Sequence, residues 1–124
     1  MSPVAIVFPG QGSQHLNMLS QGSILDISKS SEYSHLVELC NDLVSLDFID
    51  LIENGPEDSL NKTSITQPIL LLTSFFHYQN LLSQISFNPV IFAGHSLGEY
   101  SALIAANSLR IEDGLKLVLS LIHI

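Results

Sequence analysis

Residues 94 to 99 read Gly-His-Ser-Leu-Gly-Glu, a G-x-S-x-G pattern centred on Ser96. In that pattern the serine sits in a sharp, strained turn from a strand into a helix, and the flanking glycines let neighbouring backbone pass without a Cβ clash. Ser96 would then stand at the C-terminal edge of a sheet as a nucleophile. The amide of Leu97, opening the next helix, would point to the same spot and stabilise a developing oxyanion. The bare pattern also fits a glycine-bounded turn with an inert serine, and its setting between an apolar run and a helix-prone run favours the chemistry. His95 adjoins the serine, but successive residues of such a turn point in different directions, so it is read as a supporting residue and not as the general base. Glu99 could bond locally beside the turn; a carboxylate opening a helix is equally accounted for by the helix dipole.

A second segment with chemical content is Phe-Pro-Gly-Gln-Gly-Ser-Gln, residues 8 to 14. Gly10 and Gly12 begin a dinucleotide fingerprint, but its third glycine would fall at His15, and no Walker lysine follows. What remains is a flexible, amide-rich loop at the C-terminal end of a strand, the edge where open α/β sheets hold ligands, with Gln11 and Gln14 as donors. Taken alone, a plain glycine turn explains it better. His15, His35, His77 and His123 are singletons without HxxxH or HExxH spacing, and the single Cys40 has no sulfur partner. Neither a metal site nor an internal disulfide is expected.

The elements that must position these residues are legible from periodicity. Val4–Phe8 is an unbroken β-prone run closed by Pro9-Gly10, and Pro89–Ala93 is a second. Both read as strands buried on two faces, the first as a central parallel strand. Leu36, Leu39, Cys40 and Leu43 recur at helical spacing between Tyr33 and Val44, which predicts a surface helix. A shorter helical stretch from Phe48 to Ile52 ends at Asn54-Gly55-Pro56. Thr66 to Ile85 is apolar on nearly every side and reads as a buried helix with Pro68 in its first turn. Helices are also expected over residues 99–106 and from Glu112 to near the end, the latter weakened by Gly114. Strands alternating with helices give an α/β class with a parallel sheet.

Composition narrows the function classes. The 124 residues carry 12 Asp and Glu against 4 Lys and Arg, a net charge of −8, with Lys29, Lys62, Arg110 and Lys116 scattered singly. Nucleic acid is therefore not an expected partner. With 46% apolar and only 13% charged residues the chain can bury a core, as one domain. No basic leader opens it and no apolar stretch approaches a membrane span, so a cytoplasmic protein without membrane contact is predicted.

FPGQGSQ at residues 8–14, GPEDSL at 55–60, NKT at 61–63, TQP at 66–68 and GHSLGEYSAL at 94–103 together resemble the malonyl-CoA:acyl-carrier-protein transacylases of fatty-acid synthesis. The resemblance holds in order and spacing up to about Val118; acyltransferase domains of polyketide synthases share the elbow and the glutamine loop. It implies a partial parallel sheet of an α/β-hydrolase-like acyltransferase core, with the family's ferredoxin-like subdomain missing. It also implies ping-pong acyl transfer. Ser96 takes malonyl from malonyl-CoA as an ester, and the phosphopantetheine thiol of acyl carrier protein receives it. Gln11 and the Leu97 amide match the oxyanion-hole positions. Gln67 matches a glutamine near the active site and is equally explained as a helix N-terminal cap beside Pro68. The resemblance implies no bound cofactor, malonyl-CoA and acyl carrier protein as partners, and a monomer at full length.

Members of that family run on considerably further, and their base histidine and an arginine that pairs with the malonyl carboxylate lie in that later stretch. In the family's LKLV-x-x-R pattern the arginine position reads Leu121 here. Residues 119–124, Leu-Ser-Leu-Ile-His-Ile, fit the family poorly and are read as a non-native tail, leaving 1–118 as the N-terminal part of the acyltransferase domain. The chain alone is expected to be inactive and, with open strand edges, to fold poorly. Competing readings are a polyketide-type acyltransferase for another acyl-CoA, an ordinary esterase, and a non-catalytic remnant that only binds carrier protein or CoA. Against the esterase, the glutamine loop is not the HGGG-type oxyanion motif.

Overall fold

The computed structural model describes residues 3–20 and 24–122. His123 and the last residue of the suspected tail lie outside them. Strand β1, Pro3–Phe8, pairs in parallel with β2, Asn88–Gly94, and Phe8 stands opposite Gly94 at the C-terminal edge. The register slips between Val4 and Ala5, whose partners are Pro89 and Ile91. Between the strands run α1 (Ile24–Ser28), a 3-10 turn (Ser31–Tyr33), α2 (Ser34–Val44), α3 (Phe48–Asn54), α4 (Glu57–Leu60) and α5 (Thr63–Gln84). After β2 come α6 (Gly98–Ala105) and α7 (Ile111–Ile122). The α/β class with a parallel sheet is therefore observed.

Local chemistry explains the main boundaries. Asp47 caps α3 by accepting the Asp50 amide at 2.9 Å, and Asn41 reaches from α2 to accept the Phe48 amide at 2.7 Å, which fixes the turn between them. Gly55 ends α3 at φ 80°, with its amide on the Leu51 carbonyl. Helix α5 starts at Thr63, three residues before its expected start, so Pro68 lies in the second turn and not the first. The Thr66 hydroxyl donates to the Leu60 carbonyl and, at 2.8 Å, to that of Lys62, locking the junction of α4 and α5. One-turn helices α1 and α4 escaped the periodicity argument because they are shorter than its window.

Helix α5 is the hub of the core. Its residues Ile69–Leu72 and Phe76 are buried among Leu36 and Cys40 of α2, Phe48 and Ile52 of α3, and Leu115 and Val118 of α7. Tyr33 meets Phe75 and Phe76 edge-on with ring centroids 5.6 Å away in both cases. Tyr78 similarly joins α5 to the sheet through Phe8 and Phe92. Only that face of the sheet is covered. Val7 is 70% and Ile91 57% exposed on the other, so the expectation of strands buried on both faces is corrected. Helices α5 and α6 both lie on the Phe8 side.

Burial pushes the Cys40 thiol from its usual 9.0 up to about 12. The native chain should therefore resist thiol-disulfide reagents at pH 8 and react only after denaturation; rapid reaction in native buffer would contradict the burial. Because the folded state favours the protonated thiol, its contribution to stability is complete below pH 9. That contribution is lost as pH rises through about 12, which denaturant titration at alkaline pH would detect.

Candidate active site

The pattern at 94–99 folds as the strand-turn-helix corner its spacing predicts. The His95 amide donates to the Phe8 carbonyl at 3.2 Å, extending the strand pairing one residue beyond β2. Ser96 then takes φ 56°, a left-handed conformation uncommon for a residue with a Cβ, and its side chain is exposed. Leu97 is buried and caps α6. The amides of Gly98, Glu99 and Tyr100 donate in turn to the carbonyls of His95, Ser96 and Leu97, each at 3.0 Å. Among the described residues the Leu97 amide has no hydrogen-bond acceptor, which leaves a donor beside Ser96 at a helix N-terminus.

The glycines are required by close approach. A Cβ on Gly94 would run into the carbonyl group of Gly98, and one on Gly98 into the carbonyl of Phe8. The strand edge and the helix start thus press directly on each other. A Cβ on Gly10 would lie 2.5 Å from the His95 carbonyl oxygen and 3.3 Å from its Nδ1, so the loop after β1 is seated against the corner.

That loop is braced, where the sequence suggested a flexible one. Ser13 Oγ donates to the Gly10 carbonyl at 2.8 Å, and Gln14 Oε1 accepts the Gly12 amide at 2.7 Å. Gln14 Nε2 reaches Asn61 Oδ1 at 2.9 Å. Gln11 Nε2 donates to Thr63 Oγ1 at 3.1 Å, and Gln67 Nε2 donates to Gln11 Oε1 at 3.3 Å. Gln67 therefore faces the glutamine loop, and the capping alternative is replaced, since the N-cap of α5 is Lys62. Asn61 and Thr63 were legible only as part of a motif; nothing in their local sequence announces that they meet a loop some fifty positions earlier.

The other named residues take lesser places. His95 is exposed beside Gly10, and Glu99 occupies the first turn of α6 with no hydrogen bond to its carboxylate among the described residues. His15 and His77 bond the carbonyls of Leu16 and Met18, each at 2.9 Å, and His35 approaches Glu112 at 3.4 Å. No group of described His, Cys, Asp and Glu side chains could hold a metal ion, and no described helix is long and apolar enough to cross a membrane. A cavity of about 310 Å³ opens beside the glutamine loop, lined by Phe8, Pro9, Ser13, His15, Thr73 and His77 among others.

Known proteins resemble this chain in sequence and fold. A malonyl CoA-acyl carrier protein transacylase of Haemophilus influenzae is 40% identical over 122 residues, covering 95% of this chain and 37% of the relative. The chain thus spans little more than a third of that relative's length. Among solved structures, an acyl-carrier-protein S-malonyltransferase from Burkholderia pseudomallei aligns with TM-score 0.79 at 38% identity, over 95% of this chain and 36% of that one. A malonyl-transacylase in complex with its type II polyketide synthase acyl-carrier protein aligns with TM-score 0.81 at 37% identity, over 96% of this chain and 37% of that one. The family model described as acyl transferase domain matches residues 5–121, and the chain belongs to that family.

Proposed function

We propose that the polypeptide to which this chain corresponds moves a malonyl group from malonyl-CoA to the phosphopantetheine thiol of acyl carrier protein, in cytoplasmic fatty-acid biosynthesis. The observation that carries the reading is Ser96 exposed at φ 56° beside the unpartnered Leu97 amide. The Ser96 oxygen bonds to the malonyl thioester carbon, the serine proton passes to a base, and the carbon–sulfur bond breaks to release CoA as its thiol. The carrier thiol then attacks the seryl ester and regenerates the serine. The Leu97 amide and Gln11 hold the tetrahedral oxyanion in both halves, and Gln67, which donates to Gln11 Oε1 at 3.3 Å, binds beside them.

The base histidine and the arginine for the malonyl carboxylate come from outside this chain, which alone is inactive. Arg110 is unsuited to that role, since it pairs with Asp113 at 3.1 Å at the start of α7. The acting enzyme is a monomer without bound cofactor.

The test is a fusion of residues 1–118 to the remainder of the Haemophilus influenzae relative, in place of the segment they align with. Malonyl-CoA should leave one malonyl ester on Ser96, chased off by holo acyl carrier protein, while the 124-residue chain stays unlabelled. A folded fusion that takes no label, beside a relative that does, refutes the reading. The neighbour bound to a polyketide carrier protein favours a second reading, acyl delivery to a polyketide synthase. Faster transfer to such a carrier, or from another acyl-CoA, would select it.

A further inference from the structure

We infer that Gln14 is a positioning residue for the reaction at Ser96: its side-chain amide braces the loop after β1 on the start of α5 and keeps that loop seated against the serine corner. The inference rests on the acylation of Ser96 proposed above. The loop needs such a brace. It carries two glycines, Gly12 stands at φ 110°, and residues 11–13 are exposed, so little in the loop itself fixes its course. Its seat is nonetheless tight. Gly10 abuts the His95 carbonyl so closely that a Cβ would lie 2.5 Å from the oxygen, and the same oxygen accepts the Gly98 amide at 3.0 Å where α6 begins. Any movement of the loop is therefore movement against the turn that presents Ser96.

Both ends of the Gln14 amide are engaged. Oε1 accepts the Gly12 amide at 2.7 Å, which closes the loop on itself, and Nε2 donates to Asn61 Oδ1 at 2.9 Å, which ties the closed loop to a distant part of the chain. The first bond shapes the loop and the second places it. Their anchor is rigid, because Asn61 ends α4 and precedes α5 by two residues, at the junction that the Thr66 hydroxyl locks on the Leu60 and Lys62 carbonyls. Among the described residues the Gln11 amide has no hydrogen-bond acceptor, so the braced loop keeps a free backbone donor next to its Gly10 seat. Neither Gln14 nor Asn61 belongs to the hydrophobic core, and the brace can be broken without opening it.

Variants of the fused enzyme test the brace. Gln14→Ala, which loses both bonds, should lower kcat for malonyl loading by about 10- to 10²-fold, with the KM for malonyl-CoA and the urea midpoint near the parent's. Gln14→Glu and Asn61→Asp should each stay near the parent. A glutamate still accepts the Gly12 amide and receives a donor from Asn61 once the asparagine amide turns over, and an aspartate still accepts from Gln14. Combined, the two substitutions set carboxylate against carboxylate with no proton between them, and the double variant should be about 10-fold slower than either single one at an unchanged urea midpoint. Gln14→Ala at full rate, a double variant no slower than its singles, or a loss of rate that follows a fall in urea midpoint overturns the positioning role. A folded parent fusion that takes no malonyl label overturns instead the acylation of Ser96 beneath it.

Discussion

Replacing Ser96 with alanine is expected to abolish malonyl loading of the fused enzyme, a loss of about 10⁴-fold or more, and replacing it with glycine should do the same. The two variants should part in stability. Ser96 stands at φ 56°, where any residue with a Cβ is strained by roughly 1–2 kcal/mol. Alanine keeps that strain. Glycine relieves it, and its gain should raise the denaturation midpoint by about 3–5 °C against a nearly unchanged Ser96→Ala. The pair separates two claims that a single knockout would merge: that the hydroxyl reacts, and that the fold holds the reacting residue in a conformation it would not choose. Loading that survives Ser96→Ala, read by intact mass after malonyl-CoA, would remove the serine from the mechanism. Equal midpoints for the two variants would remove the strain.

Sequence reasoning reached the corner because its signals are local. Gly94 and Gly98 bracket Ser96 at fixed offsets, and the apolar runs at Val4–Phe8 and Pro89–Ala93 are short enough to be read as strands directly. Helix α2 is equally visible from Leu36, Leu39, Cys40 and Leu43; the fold buries Leu36 and Cys40 of these together with Val44, and leaves Leu39 and Leu43 half-buried. Helix α5 begins three residues before the apolar run from Thr66, because Thr63 and Ser64 carry no apolar signal and the junction is set by the Thr66 hydroxyl reaching back to the Leu60 and Lys62 carbonyls. What the sequence could not show is which loops meet. The bonds from Gln11 to Thr63 and from Gln14 to Asn61 join residues far apart in the chain, and each partner alone is an ordinary polar surface residue. The faces of the sheet were also beyond reach, because an apolar strand such as β1 records that it is to be covered but not by what. Val7 and Ile91 remain exposed among the described residues.

Gly94→Ala and Gly98→Ala should be the most destabilising small substitutions in the molecule, each costing about 3 kcal/mol or more, because the obstacle is backbone. A methyl group on Gly94 meets the Gly98 carbonyl and the Glu99 amide nitrogen, and one on Gly98 meets the carbonyls of Phe8 and Pro9. None of these atoms can turn aside as a side-chain end could. Relief would require α6 to withdraw from the strand edge, which breaks the bonds that open it and carries the Leu97 amide away from Ser96. Gly114→Ala is the matched control. Its Cβ would come within 2.9 Å of Ile104 Cδ1, the flexible end of a side chain, and alanine is worth about 1 kcal/mol over glycine in a helix interior. Its net effect should be small. Urea denaturation of the three variants in the fused enzyme reads the difference directly, against a total stability of about 5–15 kcal/mol for an ordinary domain. Gly94→Ala or Gly98→Ala unfolding at the same urea concentration as Gly114→Ala would mean that strand and helix are not in contact at the corner. The separation expected instead ties folding to chemistry at one point, since the contact that forbids a Cβ there is also the one that delivers a backbone donor to the serine.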